Sequence, residues 1–311
     1  MGKCADGILL IDKHEGESSY GVVKKVRSAF GKSKALKVGH AGTLDPFASG
    51  LLIILVGQGT KLSSFIMSEK KVYQGTVRLG IETDTLDLTG QVIRESEVPY
   101  IKSAQITKKA QKFVGEIGQS PPAFSAIRYK GTRAYKLARK GVQMDLKRRK
   151  VTVFSFRILS VHLPEIDIEV SCSGGTYIRS LAYDLGRELG TGAHLKSLRR
   201  LASGTFEVHS ALSSKNISAK ANDSLQKEVI SLREALPAMA EIELDSALTG
   251  KVRNGYRPCW KEIAGGLRSA DSQDEYIKLV RGDELVAIIK AKDNEGVRYG
   301  EVRIERVFPP I

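Results

Sequence analysis

The chain has 311 residues, 41% of them hydrophobic, so it can bury a sizeable core and suits one large domain with a small one attached. Its net charge of +14, from 49 Lys and Arg against 35 Asp and Glu, calls for an anionic partner, of which nucleic acid is the usual one. The longest strongly apolar run, residues 51–56, is far too short to span a bilayer, and the scattered Cys4, Cys172 and Cys259 support neither a disulfide framework nor a zinc site.

The N-terminal "MGKCADGILLID" places Asp6 and Asp12 within its apolar patch, so it does not read as a secretory signal, and a reducing cytoplasm is expected. "DGILLIDK" reads as a strand, and "SSYGVVKKVRSAF" as a Ser-capped helix with apolar Val22, Val23, Val26 and Phe30. Next comes "VGHAGTLDPFASG", residues 38–50, a glycine-rich turn around the single carboxylate of Asp45, leading straight into the apolar run. Pro46 removes a backbone donor and biases its predecessor away from helix. Taken alone, Asp45 is either a turn aspartate accepting backbone hydrogen bonds or an acid posed for chemistry.

"KVYQGTVRLG" alternates like a strand and carries Tyr73, whose plain reading is a core aromatic. "ITKKAQKFVGEIGQ" reads as a helix with apolar Ile106, Ala110, Phe113 and Val114. Residues 128–150 hold ten basic residues and one acid, the pattern of a phosphate-tracking surface rather than a solvated helix face. "VTVFSFRILSV" and "IDIEVSCS" read as strands. In "GGTYIRSLAYDLGRELG" a turn enters a helix with Leu181, Ala182, Leu185 and Leu189 inward. Tyr177 and Arg179 fall in its first turn, where the dipole disfavours a cation, so Arg179 wants an acidic partner or a phosphate.

Residues 210–228 are polar and read as an excursion or linker. After Pro237 short strands follow, "YIKLVRG", "LVAIIKA" and "GEVRIERV", forming a small β-rich module. Strands and helices without strict alternation give an α+β class.

Other signals lack the required spacing. "GQGTK" is too short for a phosphate loop, and "ETDTLDLTG", with Asp84 and Asp87, lacks the calcium-loop pattern and reads as a turn with Asx hydrogen bonds. There is no H-E-x-x-H and no G-x-S-x-G. Pattern alone gives a basic, cofactor-free, RNA-facing protein with a posed carboxylate.

Taken together, these residues resemble the bacterial tRNA pseudouridine synthase B (TruB) family. "GHAGTLDPFASGLL" is similar to that family's central signature, and the resemblance continues through "KVYQGTVRLGIETDTLDLTG", "QSPPAFSAIRYKGTRAYKLARKG" and "CSGGTYIRSLAYDLGRELGTGAHLKSLRRLASGTF". It is weaker in "IDKHEGESSYGVVKKVR", where His14 stands in place of the usual proline. The resemblance implies a pseudouridine-synthase core of mixed, mainly antiparallel sheet flanked by helices, over residues 1–236. A thumb insertion at about 120–150 and a PUA-like RNA-binding module over 237–311 complete the expected architecture.

The implied activity is isomerisation of a T-loop uridine, tRNA position 55, to pseudouridine, with no cofactor or metal and with tRNA as partner. No membrane association and no obligatory protein partner are expected. By resemblance Asp45 is the catalytic residue and Arg179 its basic partner, keeping it charged. Tyr73 is the aromatic stacked on the base, Tyr177 and Leu198 line the pocket, and His40 supports the gap left by the flipped nucleotide. The thumb implies backbone contacts from Arg128, Lys130, Arg133, Arg148, Arg149 and Lys150. Two other readings share the basic charge: an RNA-binding or tRNA-folding protein without essential catalysis, and a guide-RNA-dependent relative. A pure binder has no need of Asp45, Tyr73 and Arg179 together.

Overall fold

The structure, a computed structural model, describes residues 6–31, 36–217, 222–263, 265, 276–290 and 302–310. Cys4, residues 218–221 of the polar stretch and the start of "GEVRIERV" lie outside them. The class is α+β. An eleven-stranded sheet forms the large unit, with its main path running Leu212–Ser213, Gly7–Lys13, Ser49–Val56, Ala193–Ser203, Lys71–Leu79, Glu165–Cys172, Arg149–His162 and Gly115–Gln119. All pairings on it are antiparallel except Leu212–Ser213 with Gly7–Lys13 and Ala193–Ser203 with Ser49–Val56.

The central strands are covered on both faces. Strand side chains alternate, so Leu9, Ile11, Leu52 and Ile54 meet the helices, among them Val22, Val26, Ile106, Leu181 and Leu185. The alternate set, Ile8, Leu10, Leu51, Ile53 and Leu55, packs with Leu232, Leu236, Val280, Leu285, Ile288 and Phe308. The second cluster joins the C-terminal sheet, Glu241–Glu243, Tyr276–Arg281, Glu284–Lys290 and Arg303–Val307, to the back of the eleven-stranded sheet. An apolar run buried on both faces explains why residues 51–56 show no alternation.

The helix Ser19–Ala29 starts where the Ser18 side chain accepts the Gly21 amide. Helix Ile178–Leu189 buries Leu181, Ala182 and Leu185 as expected, with Leu189 half-buried. Three expectations change. The helix read through Phe113 and Val114 stops at Gln111, and Gly115, at φ 109°, turns the chain into the strand Gly115–Gln119. That strand pairs with Arg149–His162, so Arg149 and Lys150, expected at the end of the insertion, lie on a strand of the sheet beside its edge strand Gly115–Gln119. Finally, the polar stretch 210–228 is no simple linker. Ile11 pairs with Leu212, Ile8 pairs with Ile230 just beyond it, and Ile217 and Leu225 are fully buried. Those few apolar anchors are too sparse to register as a helical stripe.

Candidate active site

The Asp45 turn is held from several sides. The Ser19 hydroxyl donates to the Leu44 carbonyl and accepts the Leu44 amide, both at 2.9 Å. The Gly16 amide reaches the Pro46 carbonyl at 2.8 Å, and the Ala48 amide the Asp45 carbonyl at 3.1 Å. Beneath it lies Lys13, fully buried, whose Nζ donates to the carbonyls of Glu17 (2.8 Å), His14 (3.0 Å) and Pro46 (3.4 Å). Burial pushes the Lys13 ammonium down to about 8, against the pull of nearby Glu17 and Asp45. His14, where the resemblance predicts proline, uses the N–H that proline lacks: its amide donates to Ser214 Oγ at 3.2 Å, and its ring Nε2 lies 2.9 Å from Ser213 Oγ. The local turn is therefore tied to the strand at 212–213.

After the turn, Gly50 adopts φ 101°, and a Cβ there would meet the Arg200 carbonyl at 2.3 Å. Only glycine serves both conditions, which accounts for the last residue of the turn motif.

Arg179 meets Asp45 as the sequence reading expects. Its Nε lies 2.9 Å from Asp45 Oδ2, and Nη2 donates to Oδ1 at 3.2 Å. The rest of the guanidinium is spoken for as well: Nη1 donates to the Thr85 carbonyl at 2.8 Å and Nη2 to that of Phe124 at 3.0 Å. Nη1 also sits 3.3 Å from Asp87 Oδ2. Asp87 is the residue the sequence reading missed. It does make the Asx turn, since its Oδ1 accepts from the Thr89 amide and from the Thr85 and Thr89 hydroxyls. Its second oxygen serves the site, and only the fold reveals this.

Electrostatics modify one expectation. Burial pushes the Asp45 carboxyl above the usual range; Arg179 opposes that, and the like charge of Asp87 adds to it. Arg179 thus offsets a desolvation cost rather than depressing an ordinary carboxylate. The Asp45 side chain remains 33% exposed while that of Arg179 is 4% exposed, so the acid faces the opening and the base does not.

The other expected residues lie on several elements. Tyr73 is half-buried against the core, paired in the sheet with Val170 and Arg200. Burial pushes its phenol up, while Arg200, close enough to hydrogen-bond it, pulls it down. Leu198 is buried and paired with Gly75. Tyr177 caps the helix of Arg179, and its backbone is clamped by Gln119, which accepts the Tyr177 amide at 2.8 Å and donates to its carbonyl at 2.9 Å. His40, on the short strand Val38–Ala41, is half-buried, with Nδ1 shielded and without a partner among the described residues. Burial, reinforced by Arg200, lowers its pKa.

The expected backbone-contacting cations divide in two. Arg128, Lys130 and Arg133 lie on a small exposed hairpin, Arg128–Tyr129 with Thr132–Arg133, followed by the helix Ala134–Ala138. Arg148 precedes the strand Arg149–His162; Arg149 and Lys150 open it, and Lys150 pairs with Glu116 at 2.8 Å.

Comparison with known proteins gives the family. The model of the TruB family pseudouridylate synthase N-terminal domain matches residues 27–178, and that of the tRNA pseudouridylate synthase B C-terminal domain matches residues 179–242. The tRNA pseudouridine synthase B of Geobacter sulfurreducens is 38% identical over 284 residues, 91% of this chain and 92% of that protein. The protein of the same name from Solibacter usitatus is 38% identical over 98% of each chain. A solved chain from a Cbf5–Nop10–Gar1 complex aligns with a TM-score of 0.75 at 24% identity, covering 99% of this chain and 86% of that one; this likeness is one of fold alone. On these matches the chain belongs to the TruB family of tRNA pseudouridine synthases.

Proposed function

We propose that the chain converts the T-loop uridine at tRNA position 55 to pseudouridine, with Asp45 as the group that starts the reaction. The observation that carries this is the placement of Asp45: its carboxylate stays one-third exposed on a turn fixed through its backbone, while two nitrogens of the buried Arg179 guanidinium hold it. The reaction breaks the bond from the ribose anomeric carbon to N1, turns the base, and joins the same carbon to C5. C5 loses a proton and N1 gains one, so atoms and electrons balance without an external oxidant or reductant. An ionised Asp45 serves as nucleophile or as base. The uridine must leave its stack to reach it, and Tyr73 supplies a ring for the extruded base. The same reading places the protein in the cytoplasm with tRNA, acting without a protein partner. Incubating purified protein with an unmodified tRNA transcript and mapping pseudouridine at nucleotide resolution tests it: product is expected at position 55, and product elsewhere or none overturns it.

Catalysis by ionised Asp45 sets a pH signature. Because the Asp45 pKa is raised, the acid limb of turnover is expected above the ordinary aspartate range. Asp87 contributes to that rise, so Asp87→Asn is expected to move the limb to lower pH, read from single-turnover rates across pH. Movement the other way would show that Asp87 matters chiefly by holding Arg179 in place.

The basic residues where the insertion returns to the sheet are expected to supply affinity rather than chemistry. Neutralising Arg148, Arg149 and Lys150 together should weaken tRNA binding and flatten its salt dependence, by roughly 0.7 log units per lost contact to single-stranded phosphate. Because Lys150 already pairs with Glu116, Arg148 and Arg149 should account for most of the change. An unchanged slope would show that these side chains only face solvent.

A further inference from the structure

Arg200 is a large buried side chain at the centre of the site for which the reaction chemistry gives no role. It is 2% exposed and lies in the strand Ala193–Ser203 between the strand that follows Asp45 and the strand that carries Tyr73. Its Cα partners are Gly50 on one side and Tyr73 on the other. The first of these joints is slight, for only Arg199–Ser49 and Arg200–Gly50 pair the two strands.

The side chain reinforces that joint. Nε donates to the Leu51 carbonyl at 2.6 Å and Nη2 to the Gly42 carbonyl at 3.1 Å. These two carbonyls stand on either side of the Asp45 turn, so one rigid fork closes the loop at both ends. Tyr73 is its directly opposed cross-strand partner, so the two side chains rise from the same face of the sheet, and the guanidinium acts on the Tyr73 phenol. Its hydrogen bonds go to main-chain carbonyls rather than to a carboxylate, and the neighbouring ionisable groups include two more cations, Lys13 and Lys71. Burying a cation in that setting is costly, and a fold needing only a spacer would be better served by an apolar side chain. A planar fork that must reach separate acceptors gives a reason to keep arginine, since lysine presents a single point.

We propose that Arg200 is a positioning residue that holds the Asp45 turn and the Tyr73 ring in one frame, an inference that rests on Asp45 and Tyr73 being the groups that meet the uridine. Its effect is on rate, because the buried guanidinium spends its hydrogen bonds on main-chain carbonyls of the site rather than on an exposed surface. Arg200→Lys retains the charge and loses the fork. Measured well below its melting temperature, it is expected to bind tRNA within about threefold of wild type. Its single-turnover rate should fall by about a hundredfold, the scale of a 1 Å misplacement of reacting groups.

A merely structural Arg200 would instead lower the melting temperature while leaving the rate per folded molecule intact, and that result overturns the proposal. Arg200→Gln is the second variant: its amide can reach one carbonyl at a time and keeps neither the fork nor the charge. It is expected to give the same split between affinity and rate, and keeps the test decisive if Arg200→Lys does not fold. Wild-type turnover in either folded variant overturns the role. Asp45→Asn is the control: if it still makes product, the reading of the site itself has failed. If it is silent while Arg200→Lys is unimpaired, only the role of Arg200 has failed.

Discussion

Asp45→Asn is expected to abolish turnover, by on the order of 10³-fold or more, while binding tRNA within about tenfold of wild type. Asparagine keeps the shape of the side chain and leaves the turn intact, because that turn is held through the backbone of Leu44, Asp45 and Pro46 rather than through the carboxylate. It cannot act as nucleophile or as base. The same substitution should not lower the melting temperature at neutral pH. A carboxyl whose pKa is raised on folding binds its proton more tightly in the folded state, so its ionisation costs stability as pH rises through that range. Asparagine removes that cost, and Arg179 retains Asp87 and the carbonyls of Thr85 and Phe124. Retained binding, an unchanged or higher melting point and no product would together identify Asp45 as a group kept for reaction at the expense of stability. Substantial product from clean Asp45→Asn protein would sink the assignment.

The residues legible in the sequence were those whose local chemistry is distinctive. Asp45 stands out because glycines and a proline enforce its turn, and Arg179 because a cation in the first turn of a helix needs an anion. The paired use of Asp87 was hidden, since an Asx turn fully explains that residue in one dimension, and its free oxygen meets Arg179 only through the folded chain. Lys13 and Arg200 carry no sequence mark at all: they look like surface cations, yet both are buried, Lys13 against the carbonyls of His14, Glu17 and Pro46 and Arg200 against those of distant Gly42 and Leu51. For the fold, long apolar or alternating strands were readable. The short pairings at 212–213 and 230–231 were not, because two residues of strand show no period. The end of the helix at Gln111 was misplaced because Phe113 and Val114 continue its apolar spacing, whereas the backbone turns at Gly115.

Tyr73→Phe is expected to retain tRNA affinity within a few-fold but to accumulate little pseudouridine, because it separates the ring from the hydroxyl. Stacking needs only a π-face, which phenylalanine supplies as well as tyrosine, and stacking is worth about 1–3 kcal/mol per base. The reaction, however, must remove the proton from C5 once the new carbon–carbon bond forms. A phenol is a poor base in its usual state, and burial makes this one poorer by pushing its pKa up. The guanidinium of Arg200 works in the opposite direction, favouring negative charge on the Tyr73 oxygen. A hydroxyl so placed can accept or relay the C5 proton in a way that phenylalanine cannot. Tyr73→Leu should lose both properties, with affinity reduced as well as turnover, so the two variants read stacking and proton transfer separately. Single-turnover rates and tRNA dissociation constants for both variants decide the matter. If Tyr73→Phe turns over near the wild-type rate, the residue is only a platform, and the C5 proton must leave through water or through Asp45.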